Sequence, residues 1–408
     1  MKFCMHSGIC TGGNSVAITN ARILTPFRMK TGGILINNGK IVDLFDGCCP
    51  IAVDHAIDAQ GAYVSPGFID LHTHGAGGFD FMDGTVEAMQ GACMTHMAHG
   101  TTSLLPTTLC CSDPELFRVF AVLDEVINDK DWEGPEILGL HLEGPYLSFK
   151  QKGAQNEAYL REPDPQHYIN LLNACPYIKR MTVAPELPGA LELGLELQKR
   201  KILASIGHTD ADYEQMLLAR EYGYTFITHL YSGMSALHRK NAYRHLGAVE
   251  SAYLTDDFTF EIIADGKHLP PELLRLILRN KAWDHICLIT DSMRGAGMEE
   301  GSNPKLGSLK DGLDTVISDG VAFLPDKTSF AGSVCTADRC IKTLVQSVGI
   351  PILDAVRMMT VNPARVMNVA DRKGIIRTGM DADLCIFDEN FTILGVMTRG
   401  ILHMNNCA

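Results

Sequence analysis

The sequence predicts an α/β protein, a (β/α)8 TIM barrel with a small β-sandwich built from both chain ends, and three observations lead there. From about Ser65 to Asp291, short apolar, β-branched runs alternate with longer stretches of helical period, the pattern of repeated βα units around a parallel sheet. The runs number eight, as a closed barrel requires. Residues 16–64 and 374–405 instead show short strands broken by Gly and Asn-Gly turns, without long helical periods. The expected division is 1–64 with 366–408 for the sandwich and 65–365 for the barrel. A doubly wound open sheet would also alternate in this way, but the strand count and the residues at the strand ends favour the barrel.

In chain order the expected strands are GFIDLHTH (67–74), TTSLLPTT (101–108), EILGLHLEG (136–144), IKRMTVAPE (178–186), KILASIGHT (201–209), YTFITHLYS (224–232), FTFEIIADGKH (258–268) and HICLITDSM (285–293). Helical stretches fall between them at Thr85–His99, Pro114–Asn128, Leu191–Arg200, Asp212–Tyr222 and Pro271–Asn280, and a last helix is expected after FAGSVCTADRC.

Bulk properties narrow the class. With 408 residues, 46% hydrophobic and 20% charged, the chain has material for one large core and a smaller second one. No run approaches the roughly 20 apolar residues that span a bilayer, and the start, MKFCMHSGICTGGNS, lacks the basic and apolar regions of an export signal. Thirteen cysteines without any C-x-x-C suggest neither a disulfide framework nor a thiolate zinc site, so a reducing cytoplasm is expected. A formal charge of −13 argues against nucleic acid or an anionic membrane as partner, while leaving room for a small anionic substrate where cations cluster.

The candidate chemistry lies at the strand ends. His72 and His74 are two apart on a strand and so share a face. Glu143, His208, His229 and Asp291 end four other strands, and in a closed barrel all these ends meet at one mouth. Histidines and carboxylates without thiolate are the ligands of hydrolytic Zn, Fe, Mn or Co centres. His141, His96 and His99 are expected to be structural. The segment HRKNAYRH carries His238, Arg239, Lys240, Arg244 and His245 with no acid, a local inversion of charge suited to a substrate phosphate.

Taken together, PGFIDLHTHG, GLHLEGPY with KGAQN, VAPE, GHT, THLYSGMSALH, ADGKHLPP, TDS, FAGS, NPARVM and the late G-x-D-A-D-L resemble the N-acetylglucosamine-6-phosphate deacetylases of the amidohydrolase superfamily, over almost the whole chain. The resemblance implies a metal-dependent hydrolase of amino-sugar catabolism, usually a homodimer. It implies that Glu143, His208 and His229 hold one divalent metal, that His72 and His74 add a second, and that Asp291 is general base and then acid. Substrate contacts carried over by position are Ala154, Gln155, Ser232, Gly233, His238, Lys240, Arg244, Asp265, His268, Phe330, Ala331 and Gly332. The chain departs from the family at three places: many members have His where Gln155 stands, Asn-Ala for Ser232-Gly233, and Arg followed by Glu-Pro for Lys240-Asn241. These departures leave open the galactosamine epimer, or another amidohydrolase reaction. A sugar-phosphate sensor without turnover would have lost a ligand or the aspartate, and neither is missing.

Overall fold

The protein is represented by a computed structural model, which describes residues 15–404. The start of the chain, read above for an export signal, lies outside the described residues. No helix among the described residues is long and apolar enough to cross a membrane.

All eight expected barrel runs form strands, at Phe68–Thr73, Thr101–Pro106, Glu136–Ile137 with Leu140–Glu143, Ile178–Val183, Leu203–Ile206, Tyr224–Ile227, Thr259–Ile263 and Ile286–Ile289. Each pairs in parallel with the next, so the sheet curls in one direction. The Leu140–Glu143 strand pairs with Ile178–Val183 and is joined to the Thr101 strand by a bridge from Thr107 to His141. Last and first strands approach through the Asp291 N–H, which donates to the His72 carbonyl at 2.9 Å. Helices cover the outer face. Their starts follow the local chemistry: Thr85 caps Val86–Ala98 by accepting from the Ala88 N–H, and Asp212 and Gln215 form a reciprocal capping box on Tyr213–Glu221.

Both chain ends enter one eight-stranded sheet, in which Leu384–Phe387 pairs with Tyr63–Pro66 and Ser15–Leu24 pairs with Met29–Asn37. Strand alternation divides its apolar residues between two clusters, with Val16, Ile18, Ile34 and Ile36 on one face and Ala17, Leu35 and Phe45 on the other. Sequence periodicity overlooks the helix Pro165–Ala174 and the excursion after Asp291, where two short hairpins (Lys305–Leu306 with Leu313–Asp314, and Val316–Ser318 with Val321–Phe323) precede the FAGS turn. Strands of two or three residues are too short to show a period. What holds the excursion is distant in sequence: Arg294, buried, forks onto Asp83 at 2.7 and 2.9 Å and also donates to the Gly78 and Gly307 carbonyls.

A charge cluster stitches the chain-end sheet to the parallel one. Glu136 accepts from Arg372 at 2.5 and 2.7 Å and faces Lys373 at 2.9 Å, and Lys373 also pairs with Asp383. Burial opposes the Glu136 charge, but Arg372 and Lys373 overcome it and hold the carboxyl down at about 2. A folded value below the ordinary 4.5 stabilises the fold above that pH, and the contribution is lost as pH falls towards 2. Glu136→Gln should therefore cost about 2 kcal/mol at pH 7. In denaturant titrations the gap from wild type should close between pH 4.5 and about 2; a gap independent of pH would show that packing, not charge, is responsible.

Candidate active site

Five parallel strands deliver the candidate ligands to one rim. His72 lies within Phe68–Thr73 and His74 just beyond it, Glu143 ends Leu140–Glu143, and His208, His229 and Asp291 each stand two residues past the end of their strands. These last three have φ of 47°, 27° and 46°, the left-handed region that non-glycine residues seldom occupy. Each is held by backbone hydrogen bonds: Ser148 N–H to the His208 carbonyl (2.8 Å), Ser232 N–H to the His229 carbonyl (2.9 Å) and Ser333 N–H to the Asp291 carbonyl (2.8 Å). The sharp turn carries each side chain off the strand and over the rim.

The four histidines converge on Glu143. Its Oε1 lies 3.1 Å from His229 Nε2 and 3.4 Å from the Nε2 atoms of His72 and His208. Its Oε2 lies 3.4 Å from His74 Nε2 and accepts the Gln155 amide at 2.7 Å. Asp291 Oδ1 is 3.3 Å from both His72 Nε2 and His74 Nε2, which are themselves 3.3 Å apart. Burial works against both carboxylates. The histidines prevail, keeping Glu143 well below the usual range and Asp291 at about 2.

Two overlapping donor sets result, His72 with Glu143 and His229, and His72 with His74 and Asp291, the atoms of each within 4.8 Å of one another. Two imidazole nitrogens 3.3 Å apart and both turned to carboxylates need a proton or a cation between them. Buried N and O donors without thiolate fit a hard to borderline divalent metal.

The far sides of the rings are also tied. His208 Nδ1 lies 2.9 Å from the Gln151 carbonyl, His74 Nδ1 3.3 Å from the Thr107 carbonyl and His72 Nδ1 3.3 Å from Glu261 Oε2, while His229 Nδ1 is buried without a partner. His141 lies under the cluster, bonded to Thr107 and Thr182 at 3.2 and 2.7 Å, and His96 bonds the Thr73 hydroxyl at 2.7 Å. Both sit behind the ligand atoms, in keeping with structural roles. Sequence reasoning passed over Glu261 and its partner Arg180, whose available signal was a charge inside an apolar strand run.

A cavity of about 310 Å³ opens above the cluster. Of the expected substrate contacts, Ala154, Gln155, Ser232, Gly233, His268, Phe330 and Gly332 line it, together with Leu109, Tyr231 and Leu306, which were not anticipated. Gly233 has φ 57°, and a Cβ there would come within 2.8 Å of His208 Nδ1 and 2.9 Å of the Gln151 carbonyl, so this wall requires glycine. Asp265 stands behind the wall and accepts from His268 Nδ1 at 2.7 Å, and Ala331 is buried against Met293 and Leu306. The basic segment lies apart from the cavity. His238–Lys240 and Tyr243–His245 form an exposed hairpin, so His238, Lys240 and Arg244 point to solvent.

Comparison with known proteins now bears on this geometry. The amidohydrolase family model matches residues 63–402. An N-acetylglucosamine-6-phosphate deacetylase of Haemophilus influenzae is 33% identical, covering 94% of this chain and 98% of that protein, and the one from Homo sapiens is 30% identical over 96% of each. The crystal structure of the Pasteurella multocida deacetylase superposes with a TM-score of 0.88 at 30% identity, covering 96% of this chain and all of that one. A Mycobacterium smegmatis deacetylase variant, solved in complex with N-acetyl-D-glucosamine-6-phosphate, gives 0.87 at 30% identity over 97% and 100%.

If Glu143 ligates a metal in the first of the two donor sets, Glu143→Gln should weaken zinc or cobalt uptake by more than about 100-fold, beyond the loss expected for a residue that only orients a ligand. Elemental analysis after chelation and reloading measures this, and wild-type metal content in the variant would remove Glu143 from the centre.

Proposed function

We propose that this chain, which belongs to the amidohydrolase family and within it to the N-acetylglucosamine-6-phosphate deacetylases, hydrolyses the acetamide of N-acetyl-D-glucosamine 6-phosphate to acetate and D-glucosamine 6-phosphate. The observation that carries this reading is the position of the His/Glu/Asp cluster at the floor of a cavity in the size range of small-molecule sites. We read the curled parallel sheet as a closed (β/α)8 barrel and the chain-end sheet as part of a small sandwich domain, divided near residues 65 and 366.

Glu143, His208 and His229 would hold one divalent cation, and His72, His74 and Asp291 would complete a second position. When bound, such a cation polarises the amide carbonyl and makes water acidic enough to serve as hydroxide near neutral pH. Asp291, ionised beside the cluster, takes the proton of the attacking water and returns it to the departing amine as the tetrahedral intermediate collapses. Ser232 and Gly233 border the sugar. His268, oriented by Asp265, faces the cavity from the Phe330 side and is placed to meet an anionic group. The hairpin cations Lys240 and Arg244 are exposed and do not line the cavity of their own chain, so in this reading they serve the phosphate across a dimer interface.

The direct test is acetate release by metal-supplemented protein from N-acetylglucosamine 6-phosphate, with the unphosphorylated sugar and the galactosamine epimer alongside. Activity on the first alone is expected; turnover confined to the epimer would move the assignment. Asp291→Asn should lower kcat by about 10²–10⁴-fold, the range of general acid–base catalysis, and unchanged turnover would take Asp291 out of the mechanism. Arg244→Ala and Lys240→Ala should raise KM for the phosphorylated sugar by about tenfold each. Equal losses on unphosphorylated sugar would reject the role of the hairpin.

A further inference from the structure

Below the cluster lies a buried ion pair that touches neither cavity nor solvent. Arg180 and Glu261 are both fully buried, in the middle of the strands Ile178–Val183 and Thr259–Ile263. Every N–H of the Arg180 guanidinium is used. Nε donates to Ser205 Oγ at 2.9 Å, Nη1 to the Leu71 carbonyl at 3.1 Å and to Glu261 Oε1, and Nη2 to Thr228 Oγ1 and Glu261 Oε2, both at 2.9 Å. Glu261 Oε2 then has two further neighbours, the His229 N–H at 3.3 Å and His72 Nδ1 at 3.3 Å.

A buried ion pair contributes little net stability once desolvation is counted, so stability alone is a weak reason for this one. Its contacts suggest another. An ionised carboxylate only accepts hydrogen bonds, so the His72 nitrogen facing it carries the proton. With Nδ1 protonated, the lone pair that a neutral His72 ring offers a metal is on Nε2, the atom 3.4 Å from Glu143 and 3.3 Å from Asp291. The same oxygen receives the backbone N–H of His229, another residue of the cluster.

We propose that Glu261, clamped by Arg180, is the positioning residue that fixes His72 as a metal ligand through Nε2 and so builds the metal position shared by His72, His74 and Asp291. This rests on the reading of the cluster as a metal centre. Glu261→Gln tests it, because a single amide oxygen must replace two carboxylate oxygens that both accept from Arg180, one of which also meets the His229 N–H and His72 Nδ1. Either the amide NH2 faces His72 Nδ1, which must then accept and leaves Nε2 protonated and unable to ligate, or it faces Arg180 and the clamp is lost.

In cobalt titrations followed by visible absorption and elemental analysis, Glu261→Gln should bind the His72-dependent ion about 10–100-fold more weakly, a smaller loss than that expected for His72→Ala. Glu261→Asp, still a pure acceptor, should recover part of the loss. A Glu261→Gln titration and cobalt spectrum identical to wild type would overturn the proposal and leave the pair purely structural. Wild-type protein taking up no more cobalt than Glu143→Gln would instead overturn the metal reading itself. Should Glu261→Gln fail to fold, zinc-loaded wild type labelled with ¹⁵N-histidine decides: the imidazole signal lost in His72→Asn is expected to be protonated at Nδ1, and protonation at Nε2 would refute the proposal.

Discussion

The Arg180–Glu261 pair is the constraint around which the site is arranged. Backbone bonds set the register of each strand against its neighbours, and side chains inside the sheet can tie strands that are not neighbours. Arg180 reaches from its own strand to the Leu71 carbonyl, Ser205, Thr228 and Glu261, on four others. Leu71 precedes His72 and Thr228 precedes His229, so the same fork that ties the strands also sets the level at which two imidazoles emerge. Planar, five-donor geometry is what makes this possible, and lysine could not reproduce it.

The rim above this pair departs from relaxed geometry. His208, His229 and Asp291 occupy left-handed backbone, and six ionisable groups share a space almost without solvent. Each departure costs of order 1–3 kcal/mol. The offset lies elsewhere, in the apolar cluster between sheet and helices and in the chain-end sheet, whose Cys385 and Phe387 reach into that same cluster. The small sheet thereby acts as a buttress to the barrel-like body.

Much of this was legible in the sequence. Strands carry their period in a few residues, and helices announce their starts through Thr85, Asp212 and the Pro-led Pro271–Asn280. Pro165–Ala174 bore the same signal, Asp164 before Pro165, in a segment too polar to attract notice. The residues of the cluster could be picked out because five strand ends carry six ionisable side chains. What could not be read was placement: the basic segment is conspicuous by composition, but only its folding as an exposed hairpin leaves it outside the cavity lining. The excursion after Asp291 depends on Arg294 meeting Asp83, more than 200 positions earlier, and no local pattern encodes that.

The structure links Gly233 and Gln155 through one loop. The segment Gln151–Gln155 supplies both the carbonyl that holds His208 and the amide that holds Glu143, and it lies so near residue 233 that no Cβ fits between. Alanine at 233 alone would meet His208 and the Gln151 carbonyl. The wall at residue 233 and the loop that holds two residues of the cluster are therefore a single packed unit, and a side chain at 233 is admitted only if the whole loop retreats.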